Sequence, residues 1–352
     1  MTRKPIRLLA AIAAIVLAGL AVAALARDHA PSVRMALVNT EHGKIKLAKG
    51  EQKRILNAVA ATTSQTSNDA LVAKGKAIFN DASLFENGET CQTCHAAGSA
   101  SPRLGTMVHD TKADTSVKPA PPTDFDGPRD PPALWDLAKT SPYFWDGDVA
   151  DIDAAVLRPV MGHGKLFQTG DCANTTSAAC DAEAARRVAA LVAYLKTLQP
   201  PATAFDEGTL SPAALRGEKL FQGKGGCIEC HGGPQFTDNL IHNTGVPQVT
   251  FTSPYGTGTR KSNDLGAKPP PPDPACAGPN PAAGCDAAPP ATSPFINTPQ
   301  LRDLAATAPY MHNGAFKTLT DVVQFYNRQS TLAPLNLTDA EVADLVAYLE
   351  AL

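Results

Sequence analysis

The sequence lacks an excess of positive charge, and it lacks any long run in which apolar and polar residues alternate. Its 31 Lys and Arg residues are outnumbered by 34 Asp and Glu residues, for a net charge of -3, which argues against DNA or RNA as a ligand. The missing alternation argues against a large β-sheet and favours helices joined by long loops. With 43% hydrophobic and 18% charged residues, the 352-residue chain has the composition of a soluble globular protein with room for two domains.

The N-terminus has the pattern of an export signal. Arg3, Lys4 and Arg7 precede an uncharged apolar run over residues 8–26, which ends in an A-x-A cleavage pattern. The run is nearly long enough to cross a bilayer. We therefore predict that residues 1–26 are a signal peptide or an N-terminal membrane anchor, and that the protein is periplasmic.

Each of the eight cysteines has a partner nearby in the sequence. Cys172 with Cys180, and Cys276 with Cys285, each close a short loop, which an oxidising compartment would join as a disulfide. The second of these pairs lies in a Pro-rich segment, 268–293, that is predicted to be a surface loop. The other four cysteines occur as two C-x-x-C pairs.

The second half of the chain repeats the order of the first. The block Pro132–Gly147 aligns without a gap with Pro299–Gly314, and the apolar helical pattern Val188–Leu198 recurs as Val342–Leu352. A Pro pair at residues 200–201 ends the first copy and marks the boundary between them.

Each copy contains one C-x-x-C-H motif, which is the attachment signature of c-type heme. Two cysteines three residues apart reach the two vinyl groups of one porphyrin, and the adjacent His presents its imidazole to the iron. Two such motifs at equivalent places predict two covalent heme c groups rather than a zinc site. The motifs are Cys91-Gln92-Thr93-Cys94-His95 and Cys227-Ile228-Glu229-Cys230-His231.

These features predict an all-α fold of two tandem cytochrome c-like domains, each with a few helices around its heme and with long loops. We place a linker or extension at 27–68, the N-terminal heme domain at 69–199, and the C-terminal heme domain, which includes the Pro-rich disulfide loop, at 200–352.

The chain resembles the bacterial diheme cytochrome c peroxidases and their MauG-like relatives over residues 71–352. The most specific match is Thr298–Gly314 followed by Thr318–Asn327, and Phe144–Gly147 supports it. The resemblance implies that hydrogen peroxide reacts at the N-terminal heme while the C-terminal heme relays electrons. It implies as partners a small electron-donor cytochrome or cupredoxin, or a protein substrate.

The resemblance also assigns roles to single residues. Tyr326 falls where the peroxidases have a distal Met for the C-terminal heme and the MauG-like members have Tyr, which implies that it ligates the second iron. Met311 is the competing ligand, and aromatic packing is the plain alternative. Trp145 matches the tryptophan that carries electrons between the hemes, with burial of a large aromatic ring as its alternative.

A calcium ion is a further implication of the resemblance. Asp130, Thr307 and Pro309 match the positions at which the family binds this ion between its domains, partly through backbone carbonyl oxygens. Oxygen donors of this kind suit calcium. Asp130 stands where the peroxidases usually have Asn.

The first heme departs from the family pattern. By the resemblance, the peroxidases place a Gln and a Glu over the peroxide-binding iron to move a proton between the peroxide oxygens, whereas Ala155 occupies the Gln position here and the Glu position falls near Lys165. The absence of these two acid–base groups favours a second hypothesis, that the protein is a non-catalytic electron carrier. Tyr326 favours a third, a MauG-like oxidase that modifies a partner protein.

Pro159 does match the family. The segment that follows it, Val160–Gly164, should therefore lie over the first iron. Within it, His163 can replace the missing acid–base group, since an ordinary His has a pKa of about 6.5. Met161 or His163 can alternatively ligate the iron. His109, on the loop after the first motif, is a further candidate ligand.

Overall fold

The computed structural model of the chain describes residues 49–84, 90–95, 129–163, 178–252, 259–261, 264, 266–267, 294–328 and 332–352. Within these ranges the fold is mostly helical, as predicted. The α-helices are α1 (Lys49–Gln65), α2 (Asn68–Phe79), α3 (Cys91–Cys94), α4 (Ile152–His163), α5 (Ala178–Leu195), α6 (Pro212–Gln222), α7 (Leu319–Arg328) and α8 (Asp339–Leu349).

Two small antiparallel sheets accompany the helices. The strands are β1 (Ile241–His242), β2 (Thr250–Thr252), β3 (Thr259–Lys261) and β4 (Ile296–Asn297). Strand β1 pairs with β4, so that Ile241 lies opposite Asn297, and β2 pairs with β3. The part of the chain that is described therefore contains no large sheet, as expected. None of its helices is both long and apolar enough to cross a membrane, and residues 1–26 lie outside it.

The core of the first half is built from α1, α2, α4 and α5. Ile55 and Val59 of α1 are fully buried, as is Val188 of α5. The segment 27–68, predicted to be a linker or extension, thus includes a helix that contributes to this core. The core of the second half is separate, and its most deeply buried side chains belong to Phe221, Leu345, Tyr348 and Leu352.

In each half, a glycine lets two helices cross in close contact. A Cβ atom added to Gly75 of α2 would lie 1.9 Å from the carbonyl oxygen of Ala190 in α5. A Cβ atom added to Gly217 of α6 would lie 2.0 Å from the carbonyl oxygen of Asp344 in α8. No side chain fits at either position, so the same crossing occurs twice.

An aromatic pair packs beside each crossing. The rings of Phe79 and Tyr194 have centroids 5.4 Å apart at 60° in the first half. Those of Phe221 and Tyr348 are 5.4 Å apart at 65° in the second. Edge-to-face contacts at such distances are favourable for aromatic rings. The duplication seen in the sequence is therefore repeated in the packing.

The aligned blocks also form the same turn. Phe144 and Met311 occupy equivalent positions and have φ angles of 66° and 72°. Gly147 and Gly314 follow at 59° and 63°. The Ser141–Pro142 and Ala308–Pro309 peptide bonds are both cis. The residue that follows Phe144, Trp145, and the residue that follows Met311, His312, therefore occupy equivalent places in the two turns.

Of the four cysteines predicted to form disulfides, only Cys180 is described. It is buried near the start of α5 and is disulfide-bonded. Cys172, Cys276 and Cys285 lie outside the described residues. The two pairings therefore stay predictions.

Candidate functional site

The first C-x-x-C-H motif forms a single helical turn, α3. Thr90 caps this turn, because its hydroxyl accepts a hydrogen bond from the Thr93 backbone N–H at 3.0 Å and its own N–H donates to the Thr93 side chain at 3.0 Å. His95 follows, and its Nδ1 donates to the carbonyl oxygen of Pro132 at 3.0 Å. Helix α3 therefore puts both thiols on one turn and fixes the imidazole beside them.

The second motif forms a 3-10 turn over Cys227–Glu229. Gly226 precedes it with a φ of 60°, a left-handed conformation that glycine adopts without strain. His231 donates from Nδ1 to the carbonyl oxygen of Phe236 at 2.9 Å. Burial lowers the pKa of His231, which keeps the imidazole neutral. Both motif histidines are thus held by a hydrogen bond from Nδ1 to a backbone carbonyl oxygen, but the two acceptors are not equivalent residues of the repeat, since Pro132 aligns with Pro299.

These residues fit two heme c groups. An imidazole that donates from Nδ1 to a backbone carbonyl is held in the tautomer whose Nε2 lone pair can bind a metal. Burial raises the pKa of the Cys91 thiol to about 12 and that of the Cys227 thiol to about 11. Both thiols are thus neutral, apolar groups, as suits residues that lie against a porphyrin. His95 would ligate the iron of the first heme, and His231 would ligate that of the second.

Tyr326 lies on α7 and faces the second motif. Its hydroxyl hydrogen-bonds with the Thr244 side chain. Burial raises its pKa, and the tyrosine lies within electrostatic range of Cys227 and Cys230. The structure thus brings Tyr326 together with the second motif, and ligation by Tyr326 stays a prediction.

The residues predicted around the first iron are only partly described. Helix α4 continues through Pro159, which is exposed, as far as His163. Ala155 is buried on the same helix. The roles of Met161 and His163 stay predictions, because only their backbone is described. His109 and Lys165 lie outside the described residues.

The two duplicated turns meet face to face. The N–H of Asp130 donates to the carbonyl oxygen of His312 at 2.7 Å, and the N–H of Asn297 donates to that of Trp145 at 2.8 Å. Asp130 and Asn297 are equivalent residues of the repeat, as are Trp145 and His312. The contact is therefore reciprocal, as in a symmetric dimer.

Trp145 and His312 pack against each other at this contact. Their ring centroids are 6.4 Å apart and their planes are inclined by 69°. The indole Nε1 donates to the carbonyl oxygen of Asp130 at 2.7 Å. His312 is 1% exposed, and burial lowers its pKa to about 4. Trp145 thus has a fixed position between the halves beside a neutral imidazole.

A buried cluster of charges surrounds these rings. Arg129 donates to both carboxylate oxygens of Asp264 at 2.7 and 2.8 Å, and to Asp146 at 3.0 Å. His312 Nε2 lies 3.7 Å from the Asp264 carboxylate. Sequence reasoning missed Arg129, Asp264 and His312. The one signal that could have found any of them is the alignment of the repeats, which pairs His312 with Trp145.

The residues predicted to bind calcium lie near the same contact. Asp130 is buried, its Oδ1 has no hydrogen-bond partner among the described residues, and burial raises its pKa to about 8. The Thr307 hydroxyl donates to the carbonyl oxygen of Leu304 at 3.1 Å. An unpartnered carboxylate oxygen accepts either a proton or a cation. Calcium at Asp130, Thr307 and Pro309 stays a prediction.

Comparisons with known proteins agree on one family. A family model described as di-haem cytochrome c peroxidase matches residues 69–211. Cytochrome-c peroxidase IdrP1 of Denitromonas iodatirespirans is 30% identical over 332 residues, which are 80% of this chain and 81% of the relative. Methylamine utilization protein MauG of Methylorubrum extorquens is 29% identical over 315 residues, covering 80% and 77%.

A solved structure has the same fold. It is a MauG-like protein associated with microbial copper homeostasis, which superposes with a TM-score of 0.53 at 21% identity and covers 80% of this chain and 88% of its own.

Proposed function

Because this chain belongs to the di-haem cytochrome c peroxidase family, we propose that it reduces hydrogen peroxide at the N-terminal heme, which His95 holds. Electrons come from a small cytochrome or cupredoxin through the C-terminal heme, which His231 holds. The two hemes supply the redox chemistry when bound. The observation that carries the proposal is that both motif histidines donate from Nδ1 to a backbone carbonyl, at 3.0 and 2.9 Å.

Trp145 is proposed to carry electrons between the two halves. Support comes from its place at the reciprocal contact, where backbone hydrogen bonds from both repeats fix the turns. Its N–H is held by the Asp130 carbonyl oxygen, so the ring cannot rotate. A fixed aromatic ring between two redox centres shortens each electron step.

One experiment tests the proposal. Stoichiometric hydrogen peroxide is added to the purified diferric protein, and the heme absorption spectrum is followed before and after one-electron reduction. We expect a spectral change at the N-terminal heme and its decay when a reduced electron donor is added. An unchanged spectrum in both states would rule out peroxide chemistry.

A MauG-like oxidation of a partner protein is the second candidate, and Tyr326 supports it. An anionic oxygen ligand stabilises the higher oxidation states of iron, which suits an oxidase more than a simple relay. Replacing Tyr326 with Phe should then change the low-spin spectrum of one heme, while Phe325→Leu on the same helix should not. An unchanged Tyr326→Phe spectrum would remove this candidate and leave Met311 as the ligand to test.

The third candidate, a non-catalytic electron carrier, is supported by Ala155. This buried methyl group stands where the peroxidases have an acid–base amide, so no proton donor is supplied there. Peroxide would then leave both hemes unchanged while reductants still reduce them. Peroxide treatment therefore separates this candidate from the first two.

Three further features belong to the proposal. Residues 1–26 export the protein to the periplasm, either as a cleaved signal or as a membrane anchor. The two disulfides then form there. Calcium at Asp130, Thr307 and Pro309 is tested by metal analysis of the purified protein.

A further inference from the structure

Two carboxyl side chains lie side by side immediately after Trp145. Asp146 and Asp148 are within hydrogen-bonding reach of each other. Ionised carboxylates only accept hydrogen bonds, so a bond between them exists only when one carries a proton. Oδ1 of Asp146 is buried and has no donor among the described residues. A proton on Asp148 supplies that donor.

The surrounding charges call for one proton. Arg158 of α4 donates to both oxygens of Asp148 at 2.6 and 2.7 Å. Arg129 donates to Asp146 from the other side and is shared with Asp264. Three carboxylates therefore face two guanidinium groups, which leaves one negative charge uncompensated in a partly buried cluster. A single proton neutralises it.

The environments of the two acids place this proton on Asp148. Burial raises the pKa of Asp148 and the Asp146 carboxylate raises it further, and together they outweigh the lowering by Arg158. Burial acts on Asp146 as well, yet Arg129 and Arg158 hold its pKa below the ordinary value. The side chain of Asp148 is 30% exposed and that of Asp146 is 17% exposed. Asp148 is therefore the member of the pair that exchanges protons with water.

Trp145 itself has no base that could take its proton. Its Nε1–H donates to a backbone carbonyl oxygen, that of Asp130, which does not accept a proton at ordinary pH. When Trp145 loses an electron, the indole therefore keeps its N–H and becomes a cation. The positive charge arises next to Asp146 in the sequence and in the same buried cluster.

We propose that Asp146 and Asp148 share one proton, which Asp148 releases to water when Trp145 loses an electron and takes back when the electron is replaced. The proposal rests on the proposed function, in which hydrogen peroxide is the oxidant and a donor protein is the reductant. One electron leaves Trp145 toward the first heme and one proton leaves the pair, so the charge of the cluster is unchanged. The donor's electron, arriving through the second heme, reverses both steps.

The test is infrared difference spectroscopy on the full-length protein with both hemes attached. We expect a C=O band of a protonated carboxyl in the resting protein, which shifts in heavy water and is absent in Asp148→Asn. Asp344→Asn is the matched control, because Asp344 also accepts two hydrogen bonds from one arginine, Arg216, but has no second acid hydrogen-bonded to it among the described residues. Asp130→Asn, Asp153→Asn and Asp303→Asn identify the bands of three other acids whose pKa is raised by burial.

Peroxide then tests the coupling to Trp145. One equivalent should remove the Asp148 band in the wild type but leave it in Trp145→Phe. A resting protein with no band that Asp148→Asn removes would overturn the proposal. So would a band that persists after peroxide has changed the heme spectrum. If peroxide leaves the heme spectrum unchanged, the proposed function fails, while the resting band still decides whether the pair holds a proton.

Discussion

The two halves of the molecule share one scaffold but differ in the charge that each turn carries. Both cross two helices at a glycine, and both present a ring from the same turn. After Trp145 comes Asp146, which is part of a charged cluster. After His312 comes Asn313, whose neutral amide donates to the carbonyl oxygen of Pro247 at 3.0 Å. The two halves thus share their packing, whereas acidic side chains follow the ring only on the first turn.

The largest effect should come from removing the arginine at the centre of this charged cluster. Arg129→Met leaves the carboxylates of Asp264 and Asp146 without their main partner, and Asp264 is fully buried. Leaving a buried charge unpaired costs about 3–5 kcal/mol. We expect a loss of this size in the free energy of unfolding at neutral pH, measured by denaturant titration.

The control for this variant is an exposed arginine of the second half. Arg216→Met removes an equally well-formed pair with Asp344, but solvent screens it, so little stability should be lost. Arg129 also contributes to holding the pKa of Asp146 low, against the effect of burial. The share of the stability loss in Arg129→Met that comes from unpaired Asp146 should therefore disappear as the pH falls through the folded pKa of Asp146. Equal losses of unfolding free energy in Arg129→Met and Arg216→Met would contradict the expected difference between a buried and an exposed ion pair.

His312 should make the stability depend on pH in a way that Trp145 does not. Burial lowers its pKa to about 4, whereas the unfolded chain binds a proton at about 6.5. The unfolded state therefore takes up the proton first, and stability falls as the pH drops from about 6.5 to about 4, by up to roughly 3 kcal/mol. His312→Phe should lose this slope in denaturant titrations across that range. Trp145→Phe, the equivalent change in the other half, should keep it.

The helix crossings should respond equally in the two halves. Gly75→Ala and Gly217→Ala each force a methyl group against a helix backbone at 1.9 and 2.0 Å. Overpacking of this kind costs about 1–3 kcal/mol, and thermal unfolding should show a lower midpoint for both. Gly50→Ala of α1 is the control, because its Cβ would meet only the Arg54 guanidinium, at 4.0 Å. A loss in one crossing alone would break the equivalence of the halves.

The sequence predicted what is local and what is repeated. The C-x-x-C-H spacing indicated the motif histidines, the alignment indicated the repeated turns, and the missing alternation of apolar and polar residues indicated the mainly helical fold. It did not predict that Arg129 pairs with Asp264, because 135 residues separate them and no periodicity relates them. Nor did it predict the burial of Ile55, since α1 precedes the repeat and has no copy to compare with. Contacts between distant segments depend on packing, which a motif does not encode.

The smallest effects should come from the N-caps of α2 and α6, the helices that carry Gly75 and Gly217. Ser67 accepts a hydrogen bond from the N–H of Ala70 at 3.4 Å, and Ser211 accepts one from Ala214 at 3.1 Å. Replacing such a cap with Ala costs about 1 kcal/mol, whereas Gly costs only a few tenths. We expect Ser211→Ala to lose more stability than Ser67→Ala in denaturant titrations, because its hydrogen bond is shorter and α6 begins with Pro212 in the first turn. If Ser211→Gly were as unstable as Ser211→Ala, the loss of stability would have a cause other than the lost cap. If Ser67→Ala lost more stability than Ser211→Ala, the first half would depend on its cap more than the hydrogen-bond lengths indicate.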